Sequence, residues 1–349
     1  MSDRTKMILT FLASFSFILL ALFWTVNAKA SCPDLSRHEI DADCPWADAA
    51  RALAQNSDPE QFREILDQKI PGFMTRFDRD GRSEELLDLW GLSKNIDASN
   101  IASGLLTIPA STLQFFTSIW NVPYDSDFTV GHAGLNHTYG YLFSNVTTPY
   151  GFKRSRYVQG EIESGFGITS GMFSGLPAQG TLLSNLSQFA GTIAFRDSPS
   201  ALHHLKRAKK FGDITAVPEL AHYPYSKLKI KRLLEIINRD DFYLELRTDI
   251  VDFPQTNIMG SDAALLIYSM IYYQKDSSDF WDEPSQSFPR LITIFPVQKS
   301  FAAGIFNPSN FGDSVSISLK YNAAIPEPIP AEQMVGKRLI ANESKQHSN

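Results

Sequence analysis

The spacing of apolar positions predicts helices in the first third of the chain. In DPEQFREILDQK, residues 58–69, the apolar side chains recur at helical intervals. Asp58 is suited to cap this helix, and the proline that follows it takes the first helical position. A second repeat, RSEELLDLWG over residues 82–91, begins after a serine cap and stops at a glycine. We therefore predict a helical region over residues 31–100.

The following hundred residues are richer in glycine, serine and threonine, and their apolar residues come in short runs. Three of these runs are rich in β-branched and aromatic residues and are bounded by turn-forming residues, a pattern typical of strands. They are HTYGYLF (137–143), FKRSRYV (152–158) and LSQFAGTIAFR (186–196). This part of the sequence predicts antiparallel sheet.

Two basic segments predict helices that interrupt the sheet. SPSALHHLKRAKKFG, residues 198–212, starts with Ser-Pro, carries its cations towards the end and stops at a glycine. In SKLKIKRLLEIINR, residues 226–239, four aliphatic residues beginning with Ile230 share one helical face. Both segments therefore favour helix.

The last third predicts strands again, because long apolar runs alternate with turn-forming residues. These runs are FYLELRT (242–248), ALLIYSMIYY (264–273), RLITIFPV (290–297) and SVSISLKYN (314–322). Residues 326–349 predict a proline-rich exit and a disordered tail. The whole pattern indicates an α+β protein: a helical N-terminal third, then mixed or antiparallel sheet interrupted by a basic two-helix segment, with residues 101–325 as the main domain.

The N-terminus predicts export. Arg4 and Lys6 precede an uncharged apolar run over residues 7–26, and Ala28-Lys29-Ala30 supplies small residues where a signal peptidase cleaves. Residues 1–30 therefore predict a signal peptide, and the length of the apolar run leaves an uncleaved signal-anchor open. In both cases the remaining chain is expected to be periplasmic or extracellular, in the second case tethered to the membrane.

The two cysteines agree with an exported protein. Cys32 and Cys44 lie twelve positions apart just after the predicted signal peptide. In an oxidising compartment such a pair most simply forms a disulfide, here tethering the N-terminus of the mature chain. Lipidation or nucleophilic chemistry at Cys32 is the alternative. No further cysteine exists to complete a thiolate metal site.

The charge balance argues against nucleic acid as a partner. The chain has 32 basic and 38 acidic residues, a formal net charge of −6. A nucleic-acid-binding domain carries an excess of basic charge instead. Cations nevertheless concentrate over residues 203–232, where they outnumber acids. This basic segment suits an anionic ligand or an anionic membrane surface, while a solvated face that balances acids elsewhere is the alternative.

A glycine-rich stretch over residues 131–167 carries the residue types that acid–base chemistry uses. His132 and His137 can each act as a general acid or base, and Glu161 or Glu163 can orient an imidazole or serve as a second carboxylate. The alternative is that both histidines bond only to nearby backbone groups. We take the four residues as the candidate catalytic set.

The same two histidines do not predict a metal site. Their five-residue spacing fits neither a helical pair nor one face of a strand, and the chain has no H-E-x-x-H motif. A divalent metal bound by histidine would need a turn and a third ligand from elsewhere. The sequence requires no cofactor, and such a metal stays an alternative.

A cationic triplet lies in the same stretch. If FKRSRYV is a strand, Arg154 and Arg156 share one face and Lys153 lies on the other. Two guanidinium groups on one face suit bidentate binding of a carboxylate or phosphate. Asn136 and Tyr139, beside the histidines, complete the predicted substrate-binding set. The alternative pairs the two arginines with the nearby glutamates across a tight Gln-Gly turn.

These patterns predict an exported enzyme, a hydrolase or transferase acting on a small polar or anionic substrate. Its chemistry would be His/Glu acid–base catalysis with an arginine anion clamp. The alternative is a non-catalytic envelope protein that binds an anionic ligand, a lipid surface or a partner chain through residues 203–232. Convergence of a histidine, a carboxylate and an arginine in one pocket would distinguish the two.

Overall fold

A computed structural model describes part of the chain. The described residues are 58–75, 80, 86, 89–90, 147–148, 151–152, 160–168, 182–198, 220, 222–255, 263–275, 287–307, 315–316, 333 and 335–343. Among them the helices are α1 (Pro59–Lys69), α2 (Glu161–Phe166), α3 (Leu182–Ala194) and α4 (Lys299–Ile305). The strands are β1 (Thr147–Thr148), β2 (Gly151–Phe152), β3 (Ile230–Asn238), β4 (Phe242–Asp252), β5 (Ala263–Gln274), β6 (Ser287–Gln298), β7 (Val315–Ser316) and β8 (Val335–Glu343).

The protein is α+β, as predicted, and its described helices accompany an antiparallel sheet. Five long strands make the sheet in the order β6-β5-β4-β3-β8, and the two-residue strand β7 extends it beside β8. Strands β3 to β6 follow one another along the chain as antiparallel neighbours. Strand β8 returns from the C-terminal region to pair with β3. Strands β1 and β2 form a separate antiparallel pair.

The sheet is covered on both faces. The carbonyl of Ala194, the last residue of α3, accepts hydrogen bonds from Arg232 of β3 and Arg247 of β4, so α3 lies on the face that carries these arginines. On the opposite face, the ammonium of Lys231 lies 4.5 Å from the centre of the Phe306 ring at the end of α4. We call these the α3 face and the α4 face. Because both are covered, inward-facing positions on both sides of the central strands are buried.

Strand β3 corrects the second predicted basic helix. Residues 226–239 were expected to be helical, but Ile230–Asn238 is a strand paired with β4 on one side and β8 on the other. The aliphatic spacing fits a helix, yet a strand buried on both faces loses the strict alternation that marks a half-exposed strand. Ile230, Leu233 and Ile237 are all buried in this strand. Pairing on both edges therefore outweighs the local pattern.

Helix α3 corrects a predicted strand. LSQFAGTIAFR was expected to be a strand, but it lies mostly within Leu182–Ala194. Leu186, Phe189, Ala190 and Ile193 are each fully buried, and their spacing of three, one and three defines the inner stripe of a helix. The buried apolar stripe decides for the helix, since Ser187, Gly191 and Thr192 between these positions are weak helix formers.

Helix α2 corrects the predicted hairpin around residues 159–163. Glu161–Phe166 is a short helix, and the glycines that flank it, Gly160 and Gly167, have φ of 68° and 66°. This left-handed conformation is readily available to glycine, so the two residues begin and end the helix rather than making a turn between strands. The Gln-Gly hairpin is therefore wrong. The pairing of Arg154 and Arg156 with the two glutamates stays a prediction, because both arginines lie outside the described residues.

Strand β8 corrects the predicted disordered tail. Residues 335–343 pair with β3 along most of their length, from Lys337 opposite Ile236 to Glu343 opposite Ile230. The backbone hydrogen bonds of this pairing order a segment whose own sequence, VGKRLIANE, has weak strand periodicity. The order comes from the neighbouring strand.

The remaining predictions have mixed outcomes. The runs FYLELRT, ALLIYSMIYY and RLITIFPV lie in β4, β5 and β6 and are confirmed, and Val315–Ser316 of the fourth run is strand β7. Helix α1 is present, with the Asp58 carboxylate accepting from the Glu60 N–H at 3.0 Å. The rest of the helical N-terminal third stays a prediction. Outside the described residues lie the signal peptide, Cys32 and Cys44, HTYGYLF, all but the first residue of FKRSRYV, and all but the first residue of the first basic helix.

Candidate functional site

A cleft of about 320 Å³ opens where three segments meet beside the sheet. One wall is the end of α2, from Phe166 to Ile168, and the second is the segment from His222 to Leu228. The third is Pro254 and Gln255, which follow strand β4. These segments are far apart in the sequence, and they meet only in the folded protein, beside the sheet.

Backbone contacts fix the walls of the cleft against each other. The N–H of Gln255 donates to the carbonyl of Gly165 at 3.1 Å, which ties the exit of β4 to α2. A Cβ at Gly165 would lie 2.3 Å from the Phe253 ring, so only glycine lets helix and ring approach this closely. The relative position of these two walls is therefore set by close packing.

Aromatic rings form the floor beside the cleft. Phe166 packs edge-on against Phe189 of α3 at 4.8 Å and against Phe253 at 5.0 Å between ring centres. Tyr223 and Tyr225 continue the cluster at 5.1 Å from each other. Burial raises the pKa of both tyrosines above their ordinary value, so they stay neutral hydroxyl groups at physiological pH. We call these five residues the ring cluster.

Three exposed polar side chains line the cleft next to the ring cluster. They are His222, Lys227 and Gln255. Lys227 supplies an ammonium with three donors, and the histidine ring and the glutamine amide supply further hydrogen-bonding groups. A mostly apolar wall with a few polar groups is the usual make-up of a small-molecule site. The cleft is thus suited to a small ligand with an apolar body and a polar or anionic group.

A second polar cluster lies on the α3 face and is largely buried. Arg232 donates from Nε to Asp249 Oδ1 at 2.5 Å and from Nη1 to Asp197 Oδ2 at 2.7 Å. Arg247 donates to the other oxygen of Asp197 at 2.7 Å and pairs with Glu245. Both guanidinium groups also bond the Ala194 carbonyl, at 2.9 Å and 2.7 Å. We call this set the arginine network.

The arginine network is built to hold structure. Arg232 is 1% exposed and Asp249 is 0% exposed, so no substrate reaches their paired atoms. Burial alone would lower the pKa of Arg232, but the carboxylates of Asp249 and Asp197 outweigh it and raise that pKa. The arginine is therefore permanently charged and bound. Its bonds to the end of α3 fasten the helix to strands β3 and β4.

Arg232 also corrects part of the basic-segment prediction. The prediction includes it among the cations available to an anionic partner, but Arg232 is buried and pairs with the buried Asp249 and with Asp197 at the protein surface. Lys227, Lys229 and Lys231 of the same segment are exposed. The described part of the basic segment therefore presents three cations to solvent.

Two of the predicted catalytic residues can be placed. Glu161 and Glu163 lie in the first turn of α2 and are 2% and 1% exposed. Neither is among the residues that line the cleft, although Phe166 of the same helix is. The other predicted site residues lie outside the described part of the chain: His132, Asn136, His137, Tyr139, Lys153, Arg154 and Arg156. The predicted convergence of these groups stays a prediction.

The described residues give no further type of site. In these parts of the chain no three His, Cys, Asp or Glu side chains are placed to hold a metal ion. No helix within the same described ranges is long and apolar enough to cross a membrane.

No model of a known family, no curated protein and no solved structure matches the chain. Neither an activity nor a ligand can therefore be transferred from a relative.

Proposed function

We propose that this is an exported binding protein that takes a small organic anion in the cleft. The apolar body of the ligand packs on the side chains of Phe166, Pro224 and Pro254, and its anionic group meets the Lys227 ammonium. His222 and Gln255 provide the remaining hydrogen bonds. This is the binding alternative predicted from the sequence. The anion-binding group is now one lysine, Lys227, and no longer the basic segment as a whole.

The observation that carries this proposal is a lysine and a histidine beside a ring cluster in one cleft. Small-molecule sites enclose roughly 300–1,000 Å³. At about 320 Å³ the cleft is at the lower end, which suits a ligand of one or two rings or a short chain. An ammonium next to low-polarity walls attracts an anion more strongly than the same group in open solvent.

An exposed lysine outside the cleft supports the choice of an anion. Lys229 is exposed and directly follows Leu228, which lines the cleft. Like charges clustered near an opening raise the local concentration of an oppositely charged ligand. Lys229 therefore assists the approach of the ligand, while Lys227 contacts it.

Burial of the glutamates favours binding over acid–base catalysis. A general acid or base must come within hydrogen-bonding reach of the reacting atom. Glu161 and Glu163 are almost fully buried and do not line the cleft. The enzyme hypothesis, with His132 or His137 and an arginine clamp, stays a prediction about residues outside the described part of the chain.

A pair of fluorescent probes tests the proposal. 8-Anilinonaphthalene-1-sulfonate has two aromatic units and an anionic sulfonate, and N-phenyl-1-naphthylamine has the same rings without the charge. We expect Lys227→Gln to weaken binding of the sulfonate about tenfold, equivalent to about 1.4 kcal/mol. Binding of the neutral probe should change less than twofold. Lys229→Gln is the matched control, since it removes one exposed lysine outside the cleft.

Two results would overturn the proposal. The first is an equal effect of Lys227→Gln and Lys229→Gln on the sulfonate, which would show general surface attraction. The second is sulfonate binding that survives Gln255→Trp, since an indole at this exposed position on the wall should fill the cleft.

A further inference from the structure

Strand β8 presents an apolar edge to solvent. On one side it pairs with β3, and within the described residues its pairing with β7 on the other side covers only Val335 and Gly336. Beyond them, Leu339 is 48% and Ile340 is 40% exposed. Successive residues of a strand lie on opposite faces, so both faces of this strand carry an exposed aliphatic residue. Exposed edges of this kind are templates for pairing with another strand.

The segment beyond β7 is complementary to itself. It runs over residues 337–343 with the sequence KRLIANE, and its midpoint is Ile340. In an antiparallel pairing of two copies about this midpoint, Ile340 takes the register position opposite itself. The Leu339 position then stands opposite Ala341, and the Lys337 position opposite Glu343. Apolar positions meet apolar ones and a basic position meets an acidic one, the combinations that stabilise neighbouring strands.

The backbone of β8 is held firmly in place for such pairing. A Cβ at Gly336 would lie 2.0 Å from the carbonyl oxygen of Ile236, so β8 approaches β3 closely where the β7 pairing ends. The ladder to β3 then continues without a register shift to Glu343. A second copy would therefore meet a strand whose backbone is already ordered, which lowers the entropy cost of association.

We propose that β8 pairs antiparallel with β8 of a second copy of this chain. A twofold axis then passes beside Ile340, and the two sheets join into one continuous sheet. The same surface serves both copies, as in most dimers of identical subunits. One strand pair buries little area, so we expect a dimer that dissociates at concentrations on the order of micromolar, in keeping with small interfaces.

Cross-linking tests the register directly. Two variants of the full chain, Ile340→Cys and Leu339→Cys, are expressed and purified separately. Both are then oxidised mildly. Residues that face each other across antiparallel strands have Cα atoms about 4.5–5.5 Å apart, within disulfide reach, whereas diagonal neighbours are about 7–8 Å apart. Ile340→Cys should give covalent dimer at least fivefold above Leu339→Cys and above the unmutated chain, which carries only Cys32 and Cys44.

Equal cross-linking of the two variants would overturn the register, and no cross-linking of either would overturn the dimer. Sedimentation over a range of concentrations provides an independent measurement. Ile340→Lys should raise the dimer dissociation constant at least tenfold, because it places two cations opposite each other. Phe301→Lys is the matched control, since it changes an exposed apolar residue of α4. A dimer that persists in Ile340→Lys and is lost in Phe301→Lys would place the interface on α4 instead.

Discussion

The cleft and the arginine network both depend on α3, yet the charged groups of the cleft are exposed and the arginines of the network are buried. Phe189 of this helix joins the ring cluster beside the cleft, and the Ala194 carbonyl at its end binds the two arginines. In the network each arginine has a carboxylate partner and is almost fully buried. In the cleft, Lys227 and His222 are exposed beside aromatic walls. Exposure, more than residue type, separates the cationic group proposed to bind a ligand from the arginines that stabilise the fold.

Removing Arg232 is the strongest test of whether the arginine network stabilises the fold. Arg232→Met leaves Asp249 buried without its main partner, so we expect the free energy of unfolding to fall by about 3–5 kcal/mol. Urea denaturation followed by circular dichroism measures this loss. Lys231→Met, one position away and exposed, should cost about 1 kcal/mol or less, mainly its contact with the Phe306 ring.

A second variant distinguishes the buried charge from general damage to the strand. Adding Asp249→Leu to Arg232→Met removes the orphaned carboxylate, and such apolar replacement of a buried ion pair is often neutral or stabilising. The double variant should therefore be more stable than Arg232→Met alone. If it is less stable than the single variant, the arginine acts mainly through Asp197 and the end of α3.

The next largest loss of stability is expected where a side chain is added at the close contact between Gly165 and Phe253, behind the cleft. Gly165→Ala places a methyl group where the Phe253 ring lies 2.3 Å away, and overpacking of this kind costs about 1–3 kcal/mol. The same change at Gly304 of α4 meets no atom within 4 Å and should be neutral or stabilising. Thermal unfolding of the two variants gives the contrast directly. A stable Gly165→Ala protein with unchanged probe binding would mean that the α2 wall does not shape the cleft.

The strands of the last third were predictable because their apolar runs are long and bounded by turn-forming residues. ALLIYSMIYY and RLITIFPV lie in β5 and β6 for this reason. Strand β3 was not predictable from its own residues, since its aliphatic spacing also fits a helix and both its edges are paired by distant segments. The tail strand β8 depends on β3 in turn. Local pattern thus predicts elements whose burial is simple and fails where tertiary pairing decides.

For the same reason, neither the arginine network nor the cleft was predicted from the sequence. Arg232 stands opposite Asp249 only once β3 and β4 form a hairpin, and a helix over residues 226–239 places that arginine on a solvated face instead. With the strand assigned, the register would have predicted the pair. The cleft gives no such local pattern, because Phe166, Lys227 and Gln255 come from three separate segments. The predicted glutamates were located by residue type alone, which carries no information on burial.

The smallest expected change in stability is at Asp197, which is more exposed than the buried arginines that it binds. Its side chain is 42% exposed although it binds Arg232 and Arg247. Burial acts to raise the pKa of Asp197, but the two arginines outweigh it and hold that pKa below its ordinary value. A carboxyl group with a lowered pKa stabilises the fold above its ordinary pKa, and this contribution is lost as the pH falls below about 4.

Asp197→Asn should therefore cost about 1 kcal/mol near neutral pH, a value kept small because solvent screens a partly exposed pair. The difference between the two proteins should shrink as the pH falls below about 4, since Asp197 is protonated first in the unfolded chain and, only below its lowered pKa, in the native protein. Asp240→Asn, in the exposed link between β3 and β4, is the matched control and should change stability little at either pH. A loss in Asp197→Asn that stays constant down to pH 3 would show that Asp197 acts through its shape and hydrogen bonds. Its charge would then contribute nothing to stability.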